Sequence, residues 1–504
     1  MTAYLELEAR FRRLAVLGEV AAVLHWDSAA MMPAGGAESR SEQLATLAVM
    51  RHELLADPAL ADLLDAAEAA AAADAAALQP WQQANLREMR RRWRHATALD
   101  AGLVAALSQA AAACEQRWRT ARADDDFAAV QPLLEQVMAL VRDKAAAKAD
   151  AFACTAYDAL LDEYEPGLTA ARIDALFAPL QQELPALLDQ VLARQQTAPA
   201  PLPLPGPFPA AHQQALAERL MARVGFDFRH GRLDTSHHPF TGGVPDDVRL
   251  TTRYDEDDVA SGLMAVLHET GHAMYERGLP PAWRLQPVGE AMGMGIHESQ
   301  SLIVEMQAGR SAWFVGFLAG ELRAMFHADG PAWQADNLRR LLCRVDRSLI
   351  RVDADEVSYP LHIVLRFQLE RRLLAGELAV AELPAAWRDG MQALLGVVPV
   401  DDRDGCLQDI HWMGGDLGYF PTYTLGAIAA AQLFAAARAA EPGLPEALAA
   451  GDFSPLLGWL ARTVHAQAAF HPTADDLLTE VTGRPLDVAG FLAHLRARYL
   501  ADEA

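Results

Sequence analysis

Val266-Leu267-His268-Glu269-Thr270-Gly271-His272-Ala273 decides how the rest of the chain is understood. His268 and His272 are four residues apart, so on a 3.6-residue period both imidazoles leave one helix face, one turn above the other. Two imidazoles so placed can grip a single zinc ion, each at about 2.0–2.1 Å. Glu269 is offset from them by about 100° around the axis, which suits a carboxylate that addresses water without being a ligand. The flanks predict the helix's limits. Asp255 is the expected N-cap, with Glu256, Asp257 and Asp258 in a first turn where acids offset the helix dipole. Leu263, Val266, Leu267 and Met274 supply an apolar stripe. Arg277 falls in the last turn, Gly278 suits the C′ position, and Pro280-Pro281 forbids continuation. A helix that only packs would not need His, Glu and His at its middle.

Composition narrows the function classes. The chain has 504 residues, 52% of them apolar, enough for a large core. Its net charge of −24 argues against a nucleic-acid or anionic-membrane surface and is otherwise explained by solubility. Cys114, Cys154, Cys343 and Cys406 are scattered without paired spacing, as expected of reduced thiols in a reducing compartment. Met1 to Leu14 mixes acids, arginines and apolar residues and does not read as a signal peptide. Leu425 to Ala437 is too short and too alanine-rich to span a bilayer. A cytoplasmic protein is expected.

Helical patterning dominates. Residues 1–197 read as a helical N-terminal part, residues 198–229 as a proline-rich crossover (APAPLPLPGPFP) followed by a helix, and residues 230–504 as the part that carries the metal motif, all within one domain. Tyr157 to Gly167 is expected to be a polar connection. The basic run from Arg87 to Arg94 reads as a solvated helix face. The one β region is 230–254: Leu233 to Phe240 and Val248 to Tyr254 are expected to be extended, with Gly242-Gly243-Val244-Pro245-Asp246 as turn chemistry. The fold class is therefore mainly α, with one small sheet beside the His-Glu-x-x-His helix. A strand there could align an extended peptide.

A catalytic zinc takes three protein ligands and keeps one open position. The longer pattern with Gly at 275 and a third His at 278 is excluded, because Tyr275 and Gly278 stand there. Glu290, His297, Glu298 and Glu305 remain as candidates for the third ligand. Glu298 opens a long helical stretch, and 25 residues lie between it and His272, room for a turn and a returning helix. Such a site hydrolyses amides, with Glu269 taking a proton from water and passing it to the departing amine.

Further motifs carry a family resemblance. They are His238-Pro239-Phe240, Asp247-Val248-Arg249-Leu250-Thr251, the His268–His272 motif, His297-Glu298-Ser299-Gln300, Ile350-Arg351-Val352-Asp353-Ala354-Asp355 and Gly405-Cys406-Leu407-Gln408-Asp409-Ile410-His411-Trp412. In these motifs and their order the chain resembles the carboxypeptidase Taq family of zinc metallocarboxypeptidases, over nearly its whole length. The resemblance implies His268, His272 and Glu298 as metal ligands, Glu269 as catalytic carboxylate, and zinc, or cobalt in its place. It implies a helical, clam-like body with a deep central groove, a homodimer, and stepwise release of C-terminal residues with broad specificity. Peptides with a free C-terminus are the expected partners. Such an enzyme must hold an α-carboxylate, a task suited to the guanidinium fork. Arg351 is the first candidate and Arg249 the second; pairing with a nearby Asp (Asp353 or Asp355, and Asp247) is the plain structural alternative. His238, His411, Tyr419 and Tyr423 are candidate donors to substrate or oxyanion. The alternatives are a zinc aminopeptidase or oligopeptidase using the same metal chemistry, and a non-enzymatic helical binding protein.

Overall fold

A computed structural model describes residues 2–74 and 76–501. The chain divides into two compact, discontinuous units. The first comprises Met1–Ala96, Pro201–Leu342 and Ala429–Leu486; the second comprises Thr97–Ala200, Cys343–Ile428 and Asp487–Ala504. The proline-rich stretch marks one border, between Ala200 and Pro201; the other borders carry no comparable signal in the sequence.

Helices make up most of both units, with one three-stranded sheet in the first. Its strands are β1 (Gly231–Thr235), β2 (Phe240–Val244) and β3 (Asp247–Thr252), in spatial order β1-β3-β2. β1 runs parallel to β3 and β2 antiparallel to it. The boundaries differ from expectation. Extended structure from Leu233 to Phe240 is broken at Ser236, whose hydroxyl lies 2.7 Å from the Thr251 hydroxyl and donates to the His238 carbonyl at 2.5 Å. Gly242 and Gly243 belong to β2, and the turn shrinks to Pro245-Asp246 between the paired Val244 and Asp247. Gly243 makes this possible: its φ is +83°, and a Cβ would stand 2.2 Å from the Asp247 carbonyl oxygen.

β3 packs against the helix Val259–Gly278, which carries the His pair. Its N-cap is Asp258, not Asp255: the Asp258 carboxylate accepts from the Ala260 and Ser261 N–H groups at 3.0 and 3.2 Å. Asp255 instead forms a local turn, accepting from the Asp257 N–H at 2.9 Å, and its carbonyl accepts from Gln213. Gly278 is the last helical residue, not a left-handed C′ position. Glycine is needed there because a Cβ would stand 2.3 Å from Nδ1 of the buried His465.

The next α-helix, Met294–Leu302, brings Glu298 back to the His pair and continues as a π-helical segment, Ile303–Gly309. The two helices nearly touch at Gly271, where a Cβ would stand 2.4 Å from the Gln300 carbonyl oxygen and 2.5 Å from Ser301 Cα. Elsewhere in this unit Tyr4, Leu7, Phe11 and Leu14 of the helix Thr2–Ala30 pack with Leu60, Leu64 and Met89. The basic run is paired rather than simply solvated. Arg87 donates to the carbonyls of Ala469, Phe470 and His471, and Arg92 grips Glu290.

The second unit packs the helices Ala101–Asp124, Phe127–Phe152, Ala170–Thr197, Tyr359–Ala375, Leu383–Leu395 and Val488–Leu500. The expected polar connection after Tyr157 contains a short helix, Ala156–Leu161, with Tyr157, Leu160 and Leu161 buried. Thr155 caps it and Tyr157 donates to the buried Glu370, so apolar and polar partners both pull the segment inward. Among the described residues no single helix is long and apolar enough to cross a membrane.

Two glycines test the packing account. Gly271→Ala forces one helix backbone off another and is expected to destabilise the protein by about 1–3 kcal/mol. Gly320→Ala, in the helix Ala312–Phe326 with nothing within 4 Å of the new methyl, is expected to stabilise it by about 0.5–1 kcal/mol. Denaturant unfolding of the two variants is expected to give shifts of opposite sign.

Candidate metal centre and other polar clusters

In the first unit, His268, His272 and Glu298 each present a ligand atom, all within 4.8 Å of one another. His272 Nε2 is 3.4 Å and His268 Nε2 3.8 Å from Glu298 Oε2. Two donors bonded at about 2.1 Å to one tetrahedral ion stand about 3.4 Å apart, so the spacing fits such an ion. The chemistry of the donors fits too, since imidazole nitrogen and carboxylate oxygen suit zinc.

Both imidazoles are held from behind. His268 Nδ1 is 3.1 Å from Glu305 Oε2, and Glu305 is in turn bound by Arg310 at 2.6 Å. His272 Nδ1 is 3.1 Å from the His297 carbonyl oxygen and 2.7 Å from His297 Nδ1. Acceptors at both Nδ1 atoms hold a proton there, which leaves Nε2 of each ring as the atom that can face a cation beside Glu298. Burial opposes charging His268, but Glu298, Glu305 and Glu269 overcome it and raise its pKa to about 10. The same ring of carboxylates that attracts a proton attracts a cation. Burial raises Glu298, yet His268 and His272 outweigh it and hold its carboxyl at about 2.

Glu269 is buried beside this cluster. The Thr241 hydroxyl, from β2, is 2.7 Å from Glu269 Oε2 and 2.9 Å from its carbonyl oxygen. This contact fixes where the carboxylate points and ties the sheet to the helix. The other candidates for third ligand face elsewhere. Glu290 pairs with Arg92, His297 Nε2 is 2.9 Å from Glu276, and Glu305 stands behind His268.

Among the substrate candidates in this unit, Arg249 is held by Asp247 through contacts of 2.6–3.0 Å and lies over the Trp26 ring at 4.6 Å. His238 is exposed, with its ring 4.5 Å from that of His237.

The other candidates cluster in the second unit. Arg351 is buried and donates to Asp409 at 2.7 and 3.1 Å and to the Tyr359 hydroxyl at 3.2 Å. Its partner is thus Asp409, not Asp353 or Asp355; Asp355 is taken by the Val357 and Ser358 N–H groups and the Ser358 hydroxyl. Arg366 grips the same Asp409 at 2.5 and 2.7 Å. Two guanidiniums against one carboxylate leave this buried triad with a net positive charge. The Arg351 guanidinium lies 5.0 Å from the Tyr423 ring centre, and Tyr423 OH is 3.4 Å from His411 Nε2. His411 stacks on Tyr419 at 5.6 Å. Behind them the buried Glu370 accepts from Tyr157, from Trp412 Nε1 and from the Gly418 N–H, at 2.7, 2.9 and 3.1 Å. Burial raises its carboxyl to about 7. Sequence reasoning gave Asp409, Arg366, Thr241 and Glu370 no role. Only Asp409 had a visible signal, its place in the Gly405–Trp412 motif.

This geometry is matched by whole-chain similarity. The family model for carboxypeptidase Taq (M32) metallopeptidases matches residues 6–499. The chain belongs to the carboxypeptidase Taq (M32) family. It is 39% identical to thermostable carboxypeptidase 1 of Thermus thermophilus over 99% of this chain and 98% of that one. It is 33% identical to the protein of the same name from Pyrococcus furiosus, over 98% of each. Metallocarboxypeptidase 1 of Trypanosoma cruzi superposes with a TM-score of 0.96 at 39% identity, covering 99% of this chain and 100% of that one. The M32 carboxypeptidase of Deinococcus radiodurans superposes with a TM-score of 0.91 at 37% identity, covering 99% of each. This M32 member is an enzyme, a metallocarboxypeptidase.

Buried histidines of the second unit make its stability pH-dependent. Burial holds His362 at about 3 and His411 at about 4. An unfolded histidine titrates near 6.5. Between about 6.5 and 4 the unfolded chain therefore binds protons that the folded one refuses, and stability falls as pH falls through that window. Thermal unfolding of metal-free protein from pH 7 to 4.5 is expected to show that fall, and His362→Gln to make it shallower by about one proton.

Proposed function

We propose that this protein is a zinc carboxypeptidase that releases C-terminal amino acids from peptides with broad specificity, with His268, His272 and Glu298 as ligands and Glu269 as general base. The convergence of two imidazole nitrogens and one carboxylate beside a buried, anchored Glu269 carries the reading. A bound zinc ion would polarise the scissile carbonyl and acidify water. Glu269 takes the proton from water as its oxygen bonds to the carbonyl carbon, and passes it to the amine nitrogen as the C–N bond breaks. Thr241 keeps the carboxylate from swinging to become a fourth ligand.

Recognition of the free α-carboxylate is assigned to Arg351. The Arg351–Asp409–Arg366 triad carries one positive charge beyond its own carboxylate, and an anion would offset that buried excess. Arg249, already matched one to one by Asp247, is the second candidate. His411, Tyr419 and Tyr423 are the candidate donors around the substrate, with His238 as another. Cobalt can take the place of zinc in this scheme. A cytoplasmic homodimer belongs to the same reading, on the strength of the family resemblance and the scattered spacing of the cysteines.

Glu269→Gln is expected to retain metal while losing about 10²–10⁴-fold in kcat/KM; loss of metal in that variant would show that Glu269 is a ligand. With the wild-type protein, C-terminal amidation of a peptide should nearly abolish release and N-terminal acetylation should not. The opposite pattern would make it an aminopeptidase. Arg351→Ala should hurt peptides with a free C-terminus far more than amidated ones, and equal losses would make Arg351 structural.

A further inference from the structure

The two ligand histidines are supported differently, and the difference points to residues outside the ligand set. His268 has a carboxylate directly on Nδ1. His272 has instead a second imidazole, His297, with the two Nδ1 atoms 2.7 Å apart. A nitrogen–nitrogen contact this short holds one proton: with none the lone pairs repel, and with two the N–H groups clash. His272 must keep its lone pair on Nε2 to face the cation, so its proton is on Nδ1 and it is the donor. His297 Nδ1 is then the acceptor, and the remaining His297 proton is on Nε2. That atom is 2.9 Å from Glu276 Oε1. Glu276 is one helical turn beyond His272 on the same helix, so a single rigid element presents both ends of the chain of contacts.

We propose that Glu276 and His297 are positioning residues for the metal, forming a carboxylate–imidazole relay that fixes the tautomer and ring orientation of His272. The proposal rests on His268, His272 and Glu298 as the ligand set. The Glu276 carboxylate accepts the His297 Nε2 proton, which leaves His297 Nδ1 able only to accept, which in turn leaves His272 Nε2 bare. His297 is thereby given a part that is not that of a ligand. The competing account is that the His297 backbone carbonyl, 3.1 Å from His272 Nδ1, is sufficient by itself.

Removing a group that orients a ligand typically costs about 10–100-fold in metal affinity. Zinc affinity, measured on metal-stripped full-length protein by competition with a chromogenic chelator, separates the accounts without using activity. Circular dichroism of the stripped proteins reports folding. His297→Ala keeps the backbone carbonyl but removes the imidazole, and Glu276→Ala removes only the far end. Each is expected to weaken zinc by about 10-fold or more, and the double variant by no more than the worse single one, because both break one chain. Glu276→Gln, whose amide oxygen still accepts, is expected to restore most of the affinity. Unchanged affinity in either alanine variant would overturn the relay, as would full additivity. Glu298→Ala, run beside them, should lose far more than either. If it retained zinc while His297→Ala abolished binding, His297 would be a ligand, and the ligand set itself would be wrong.

Discussion

The His268–His272–Glu298 cluster depends on two helix backbones meeting at Gly271. Glu298 can reach the His pair only if its helix lies against the middle of the helix Val259–Gly278, and the contact point falls between the two histidines. Any side chain there would sit inside the Gln300–Ser301 backbone. Packed interiors do not yield to such an intrusion without moving whole elements. A shift of about 1 Å would take Glu298 Oε2 from 3.4 Å to beyond reach of an ion shared with His272 Nε2. Glycine within the motif is therefore a geometric requirement of the site.

A second constraint is electrostatic. Glu269, Glu298 and Glu305 surround His268, and Glu305 is answered by Arg310 and by His268 Nδ1. Carboxylates brought this close need a cation among them. The second unit has the opposite imbalance at Asp409, where two guanidiniums share one carboxylate. Each unit thus buries an imbalance of its own, negative around His268 and positive at Asp409.

The sequence made the local parts of this legible. His268, Glu269 and His272 share one turn, so helical periodicity placed them, and β-rich composition placed a small sheet beside them. Precision failed where several residues offered the same chemistry. Asp255, Asp257 and Asp258 could all cap the helix, and the choice fell to Asp258 because Asp255 closes its own turn and gives its carbonyl to Gln213. Gly242 and Gly243 look like a turn, but Gly243 serves the strand's close approach to Asp247. Long-range partners left no trace: nothing near Arg351 names Asp409, 58 positions on, or Arg366, and nothing near Glu269 names Thr241. Glu305 was visible as an acid, yet its place behind His268, not in front of it, depends on the path of the Met294–Gly309 stretch.

Thr241, His268, Glu269, His272, Glu276, Glu298 and Glu305 all lie in one of the two packing units, and Arg351 and His411 lie in the other. A ligand that binds only folded protein stabilises what it touches by mass action. With His268, His272 and Glu298 as its ligands, a metal ion would add its binding free energy within the first unit. Any rise in the melting of the second unit when metal is added is energy transmitted through the connections between them. Calorimetry with and without metal therefore measures how strongly the two halves of this chain cooperate.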